Sequence, residues 1–357
     1  MIILRYLSKQ ILGITFAATF ILLLVAVLGR FLKYLAQASQ GEIDPGVLVL
    51  LMSYRLPEFL QLILPLALVL GILLAHGRLY ADNEMTVLFA CGLSKVRLLG
   101  LTLVSSLLVA GLVAGLSLGL TPWGLVNTDA LLEAQKELNE FDIMVPGIFQ
   151  NISRGARTTY AETVSDEELR NIFMHERARN RVTVARLANP VEDENGQRLV
   201  VLKEGSMSEG LSGKQEYTVT GFNELGIRIP SRTLNFEIAV AERALSTRDL
   251  LSSSRLPDQA ELQWRISLIL LIPVMTLLVV PLSRVAPRQG RFAKLLPAIL
   301  LYTLYFGFLL GSRDLMARGD IPASIGMWWV HALFLAAGLL LLLGKMPDLR
   351  RWNFLNR

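Results

Sequence analysis

Few residues in this 357-residue chain are arranged for covalent chemistry. His76, His175 and His331 lie far apart in sequence and make no ligand pattern, and there is neither an HExxH pair nor a nucleophile elbow. Gly213-Lys214 is the nearest approach to a phosphate-cradling loop. It lacks the preceding glycine pattern, and no Ser or Thr follows the lysine. No catalytic residue, metal site or cofactor is therefore expected in this chain. Any work it performs must be powered by ion flow or by a partner.

Three groups of residues have spacings suited to non-covalent work. The first is His76 to Arg97, a polar break between long apolar runs that contains a short helix near 82–91. Asp82 or Asn83 can cap it, and Glu84 sits in its first turn, where a negative charge suits the helix dipole. Met85, Leu88 and Phe89 share one face at helical spacing, and Gly92 is placed to end the helix. An exposed acid on a short amphipathic helix is what a membrane subunit needs to seat in a groove on a soluble motor. An ordinary interfacial loop helix is the plainer reading. The second group is Arg30 and Lys33, three apart and so on one helix face. They either snorkel to headgroups or form a cationic rim for an anionic ligand entering from the outer leaflet. The third is Arg55 and Glu58, also three apart, at membrane depth. Mutual pairing is the simplest account and a proton relay the sharper one.

The elements that must position these groups are mostly membrane spans. Hydrophobic residues make up 53% of the chain, with a mean hydropathy of +0.48, too apolar for an ordinary soluble domain. Spans are expected near 11–29, 47–75, 98–120, 264–282, 295–311 and 325–343. Ala36-Gln37-Ala38 resembles a signal-peptidase site, but the apolar run before it is too long for a signal peptide and Arg30 and Lys33 intervene. Gly111, Gly115 and Gly119 give the third span a face for close helix packing, within the chain or on a partner. The net charge of +5 is spread along the chain, and no basic run suggests nucleic acid. Cys91 is the lone cysteine, so no internal disulfide forms.

Between the third and fourth spans lies a different solvent regime. Residues 127–140 look helical. Eight short segments rich in β-branched and aromatic residues follow, at 147–152, 158–163, 169–176, 181–187, 197–204, 206–211, 215–222 and 226–229, with a hairpin signal at Asn195-Gly196. They suggest a sandwich or jelly roll. Basic residues place the N-terminus, the 76–97 loop, the 284–294 loop (Arg284, Arg288, Arg291, Lys294) and the tail inside, and so residues 123–263 outside. The expected architecture is an α-helical membrane protein with six transmembrane helices and an inserted periplasmic β-jellyroll domain. Its parts are 1–122, 123–263 and 264–357.

The stretches MIILRYL, LPEFLQLILPLALVLGILLAHGRLYADNEMTVLFACGLSK, ELQWRISL and VVPLSRVAPRQGRFAKLLPAILLY closely resemble the lipopolysaccharide export permeases, the YjgP/YjgQ family. The start and the ACGLSK loop are more similar to its LptF-type branch than to its LptG-type branch. The resemblance covers all the spans and is weakest in the external domain. It implies a Gram-negative inner-membrane permease that pairs with an LptG-like permease and sits on two copies of an LptB-like ATPase, which would use the ATP. It also implies an LptC-like partner, to which lipopolysaccharide would pass. Under the resemblance the coupling-helix acid falls on Glu84, the basic pair for lipid A phosphates on Arg30 and Lys33, and the external β domain on about 146–229. Arg55 matches no family role. The first span and Leu304, Phe306, Phe308 and Leu309 can supply a cavity wall, although lipid exposure or core is the plainer reading of those side chains. Two other classes stay open: a proton-driven secondary transporter using Glu58 or Arg55, and a membrane receptor that transports nothing.

Overall fold

The computed structural model describes residues 2–39, 43–137, 146–152, 157–165, 168–192, 198–210, 217–228, 241–284 and 294–343. Asn195-Gly196, Arg288, Arg291 and the basic tail lie outside them. Contacts divide the chain into two compact units. One comprises Met1–Leu28, Tyr54–Asn127 and Ala239–Arg357, and the other Gly29–Ser53 and Thr128–Ile238.

The helices are α1 (Ile2–Ser39), α2 (Leu48–Ala81), α3 (Glu84–Ala90), α4 (Lys95–Gly115), α5 (Thr121–Glu137), α6 (Ala241–Ala244), α7 (Thr247–Ser252), α8 (Leu256–Leu282), α9 (Leu295–Arg318) and α10 (Trp328–Leu342). A π-helical turn, Leu116–Leu120, joins α4 to α5 in one continuous rod. Among the described residues five apolar rods are long enough to cross a membrane: α1, α2 with the turn before it, α4–α5, α8 and α9. The residues expected as the sixth span form the shorter helix α10, with 15 residues. At 1.5 Å per residue that is about 22 Å, short of the hydrocarbon core. Turns at 323–327, with Gly326 at φ 38°, occupy the residues that hydropathy had added to this span.

In the helical unit α8 is the hub. It packs against α4, α9 and α10, and most of its apolar length is buried. Interhelical hydroxyl bonds supplement the packing, as suits a bundle whose outside is as greasy as its inside. Ser105 donates to Ser8 at 2.8 Å, and Thr276 donates to Ser106 at 2.8 Å. His76, fully buried, sits between Thr102 and Ser283 at 3.3 and 3.2 Å, joining α2, α4 and α8. The expected close-packing face of Gly111, Gly115 and Gly119 is open, with nothing within 4 Å of a Cβ at any of the three. Close approach occurs elsewhere. A Cβ at Gly71 would strike Thr15 of α1, one at Gly124 the Tyr54 carbonyl, and one at Gly338 the Leu277 side chain.

In the other unit the described strands form one antiparallel sheet in sequence order: β1 (Gln150–Ile152), β2 (Arg157–Val164), β3 (Leu169–Glu176), β4 (Arg181–Glu192), β5 (Arg198–Gly210) and β6 (Tyr217–Arg228). Eight expected segments become six strands because Gly205 and the 223–226 stretch do not interrupt pairing. Gly205 stays in register with both Ala185 and Phe222. A Cβ there would collide with the Val184 carbonyl and the Phe222 ring, so the glycine is what lets that ring lie against the sheet. Ala161, Ile172, Met174, Ala185, Ala188, Val200 and Leu202 form the buried face. Asn171, at φ 50°, breaks the period of two, so that Leu169 and Ile172 both turn inward. A second cluster in this unit joins Tyr34, Ile43, Leu48, Leu51 and Leu132. Residues 29–53, read from sequence as span ends and a loop, therefore belong with this unit.

Candidate functional site

The 76–97 stretch folds as expected in outline and differs at its cap. Asn83 takes the N-cap position in the left-handed region (φ 60°) and makes no side-chain capping bond, while the Asp82 carboxylate accepts from Arg78 at 3.4 Å. Cap chemistry is instead provided one helix later, where the Ser94 hydroxyl accepts from the Arg97 amide at the start of α4. Met85 is fully buried, Leu88 and Phe89 pack on the bundle core, and Val87 faces out at 60% exposure. Gly92, at φ 92°, ends the helix, with its amide on the Phe89 carbonyl and that of Leu93 on the Leu88 carbonyl. The apolar face that could have served a partner is thus spent inside the chain. What remains outward is Thr86, Val87 and Ala90, with the half-buried Glu84, whose carboxylate accepts a 2.7 Å bond from the Tyr6 hydroxyl of α1.

Arg30 and Lys33 lie in the last three turns of α1. The Arg30 guanidinium sits 5.6 Å above the ring of buried Tyr34, a cation–π arrangement, and Lys33 is exposed. Both engage neighbours, so neither charge stands alone. Towards its start, α1 packs through Leu7, Ile11 and Thr15. Phe16, Phe20, Leu24 and Leu28 then form an open apolar stripe at four-residue spacing, each more than half exposed.

The four side chains on α9 read as a possible wall divide between two faces. Leu304 (50% exposed) and Phe308 (40%) lie one turn apart on the open face, with Phe308 edge-on to Trp329. Phe306 turns the other way, stacked on Tyr302 at 5.9 Å and edge-on to Trp264 at 5.5 Å, and Leu309 is fully buried. An unbroken apolar run carries no period, so the sequence could not say which side faced out.

A family model, "Lipopolysaccharide export system permease LptF/LptG", matches residues 5–344. The chain is 31% identical over 356 residues to the lipopolysaccharide export system permease protein LptF of Escherichia coli K12, covering 98% of this chain and 97% of the relative. It is 26% identical over 128 residues, about a third of each chain, to the LptG protein of Haemophilus influenzae. The chain belongs to the LptF/LptG permease family. It is a multi-pass membrane protein with a separate antiparallel sheet unit.

The permease also holds an ionic cluster of which the sequence reading had only the Arg55–Glu58 pair. Glu58 accepts from Arg55 at 3.2 Å and, through its other oxygen, from Arg243. Glu261 is held by Arg265 at 3.1 Å and by Arg313 at 2.5 Å, and the Arg313 guanidinium lies 5.2 Å over the Trp264 ring. Arg265, 2% exposed, spends its remaining donors on the Thr247 hydroxyl (2.8 Å) and on the carbonyls of Arg243 (3.1 Å) and Leu245 (2.9 Å) at the end of α6. Glu58 thus ties the short connector α6–α7 to α2 through Arg243, and Arg265, itself held by Glu261, ties it to α8. The available signal was Glu261 and Arg265 at i,i+4 spacing where α8 enters its apolar run, together with the stray Arg313.

The π turn explains itself through the same cluster. Pro122 has no amide proton, so it cannot bond the Leu118 carbonyl in the α-helical register. The Thr247 hydroxyl donates to that carbonyl at 2.6 Å. In the permease Arg265, Thr247 and Leu118 therefore form one chain of hydrogen bonds running from α8 through α7 to the π turn.

Proposed function

We propose that this chain is the permease subunit of an ATP-driven exporter that extracts lipopolysaccharide from the inner membrane and passes it on towards the outer membrane. The carrying observation is the end-to-end similarity to LptF, with the family match running across both spans and sheet unit. The permease would pair with an LptG-like subunit, draw on ATP hydrolysed by two LptB-like chains, and deliver to an LptC-like protein. Residues 123–263 would lie in the periplasm as a jelly roll, and α10 with its flanking turns would complete six crossings.

The geometry supports specific roles. The open stripes of α1 (Phe16, Phe20, Leu24, Leu28) and α9 (Leu304, Phe308) are the least buried of the long helices and offer apolar walls for acyl chains. Arg30 and Lys33 would meet lipid A phosphates. Phe306 would act from behind, by holding α9 on Trp264 and Tyr302. On the sheet, an open groove of about 810 Å³ lined by Phe149, Tyr160, Phe173, Val184 and Phe222 is apolar enough to take acyl chains. Coupling would run through Glu84, with Met85, Leu88 and Phe89 carrying motion of α3 into the bundle. Proton coupling is disfavoured by Glu58, whose two oxygens are each already held by an arginine.

The test is to purify the full chain from native membranes and identify what accompanies it. A second six-span permease, a cytoplasmic ATPase and bound lipopolysaccharide are expected. A lone chain whose lipid movement follows a proton gradient overturns the proposal.

A further inference from the structure

A second cavity lies in the helical unit, under α3 and away from the open stripes. It measures about 270 Å³ and is enclosed by the end of α2, α3, the start of α4 and the ends of α8 and α10. Its floor is apolar: Leu98 and Val280 are nearly inaccessible, and Leu341 and Leu342 are half-buried. Tyr80 and Phe89, with ring centroids 6.4 Å apart, form one wall. Two exposed cations, Lys95 and Arg284, line it, and no acid among the described residues does. Among the described residues no carboxylate pairs with either. Arg78 and Arg97 belong to the same end of the bundle, the end that the positive-inside rule assigns to the cytoplasm.

An apolar pocket with two unpaired cations at its mouth, at the level of the headgroups, suits an anionic amphiphile. The tail meets carbon and the head meets two charge-assisted donors. A neutral or zwitterionic lipid would leave one or both cations without compensation. Lys95 opens α4, whose positive dipole end adds to the attraction for an anion there, and Arg284 follows the C-cap of α8. We propose that this cavity binds an anionic phospholipid of the cytoplasmic leaflet, its headgroup between Lys95 and Arg284 and an acyl chain against Leu98, Val280 and Leu341. Because Phe89 is part of the wall, an occupied cavity also braces α3 from behind.

The experiment uses the full chain in lipid nanodiscs of phosphatidylethanolamine, with trace phosphatidylglycerol bearing a photoactivatable group in its acyl chain. Labelled peptides are read by mass spectrometry. Labelling is expected in the peptides carrying Tyr80–Leu98 and Val280–Arg284. It should fall at least about tenfold in the double variant Lys95→Gln/Arg284→Gln, which removes both charge-assisted contacts. Leu341→Trp, which fills the cavity and keeps both cations, should abolish labelling of the same peptides while labelling elsewhere persists. Equal labelling by a phosphatidylcholine probe, or labelling unchanged in either variant, overturns the proposal. The readout is lipid binding alone, so it neither uses nor tests the export reading.

Discussion

The Tyr6 hydroxyl donates a 2.7 Å hydrogen bond to the Glu84 carboxylate across 78 residues of sequence. It ties the first turns of α1 to the short helix proposed to meet the ATPase. Glu84 is therefore an acid with a fixed orientation, held on one side and open on the other. Glu84→Ala should leave ATP hydrolysis by the assembled exporter near its normal rate while lipid release collapses. Tyr6→Phe keeps the charge and frees its orientation, so an intermediate loss of release is expected. ATPase and lipid-release assays on the same reconstituted sample check both. Full release by Glu84→Ala would refute the coupling role.

Arg265 carries the next prediction. Its guanidinium bonds a carboxylate, a hydroxyl and two carbonyls at once, a set of donors that lysine cannot reproduce. Arg265→Ala should cost about 3–5 kcal/mol, because it leaves Glu261 half-compensated in a dry setting. Arg265→Lys should recover little of this. Thermal unfolding in detergent measures the loss, and limited proteolysis within 241–252 should rise in step.

The Thr247–Leu118 bond exists because Pro122 cannot donate. Thr247→Val should then cost about 1–3 kcal/mol by orphaning a buried carbonyl. In a Pro122→Ala background the restored amide can serve Leu118, and the same change should cost clearly less. A double-mutant cycle on unfolding midpoints reads the coupling directly. Strict additivity would show that the two residues do not share that carbonyl.

These cases mark what was legible in the sequence. Composition and apolar run length located the rods, because a bilayer imposes a length. Helix α3 was visible through Met85, Leu88, Phe89 and Gly92, where a polar setting makes the helical period readable. Inside the spans that contrast vanishes. The wall residues of α9 were consequently grouped without regard to face, and the polar set of Arg243, Thr247, Glu261 and Arg313 went unseen. Its members come from three separate stretches, and only folding brings them together. In the sheet unit, β-branched periodicity found the strands, but Gly205 read as a break although the opposing Phe222 ring fills its place.

The glycines give the last prediction. By spacing, Gly111, Gly115 and Gly119 looked like the packing face, yet a side chain at any of them meets empty space within the chain. Gly71 stands alone in sequence, but α1 presses against it so closely that a Cβ would strike Thr15 and crowd the Ile11 carbonyl. Gly71→Leu must push two helices apart and should prevent stable folding of the isolated chain, well beyond the usual 1–3 kcal/mol of core overpacking. Gly115→Leu should leave the unfolding midpoint of the isolated chain within a degree or so of the parent, its cost being at most the ordinary surface value of about 0.5 kcal/mol. Detergent-solubilised unfolding of both variants separates the two cases. If Gly115→Leu unfolds the chain and Gly71→Leu does not, the spacing rule was right and the packing described for α1 on α2 is wrong.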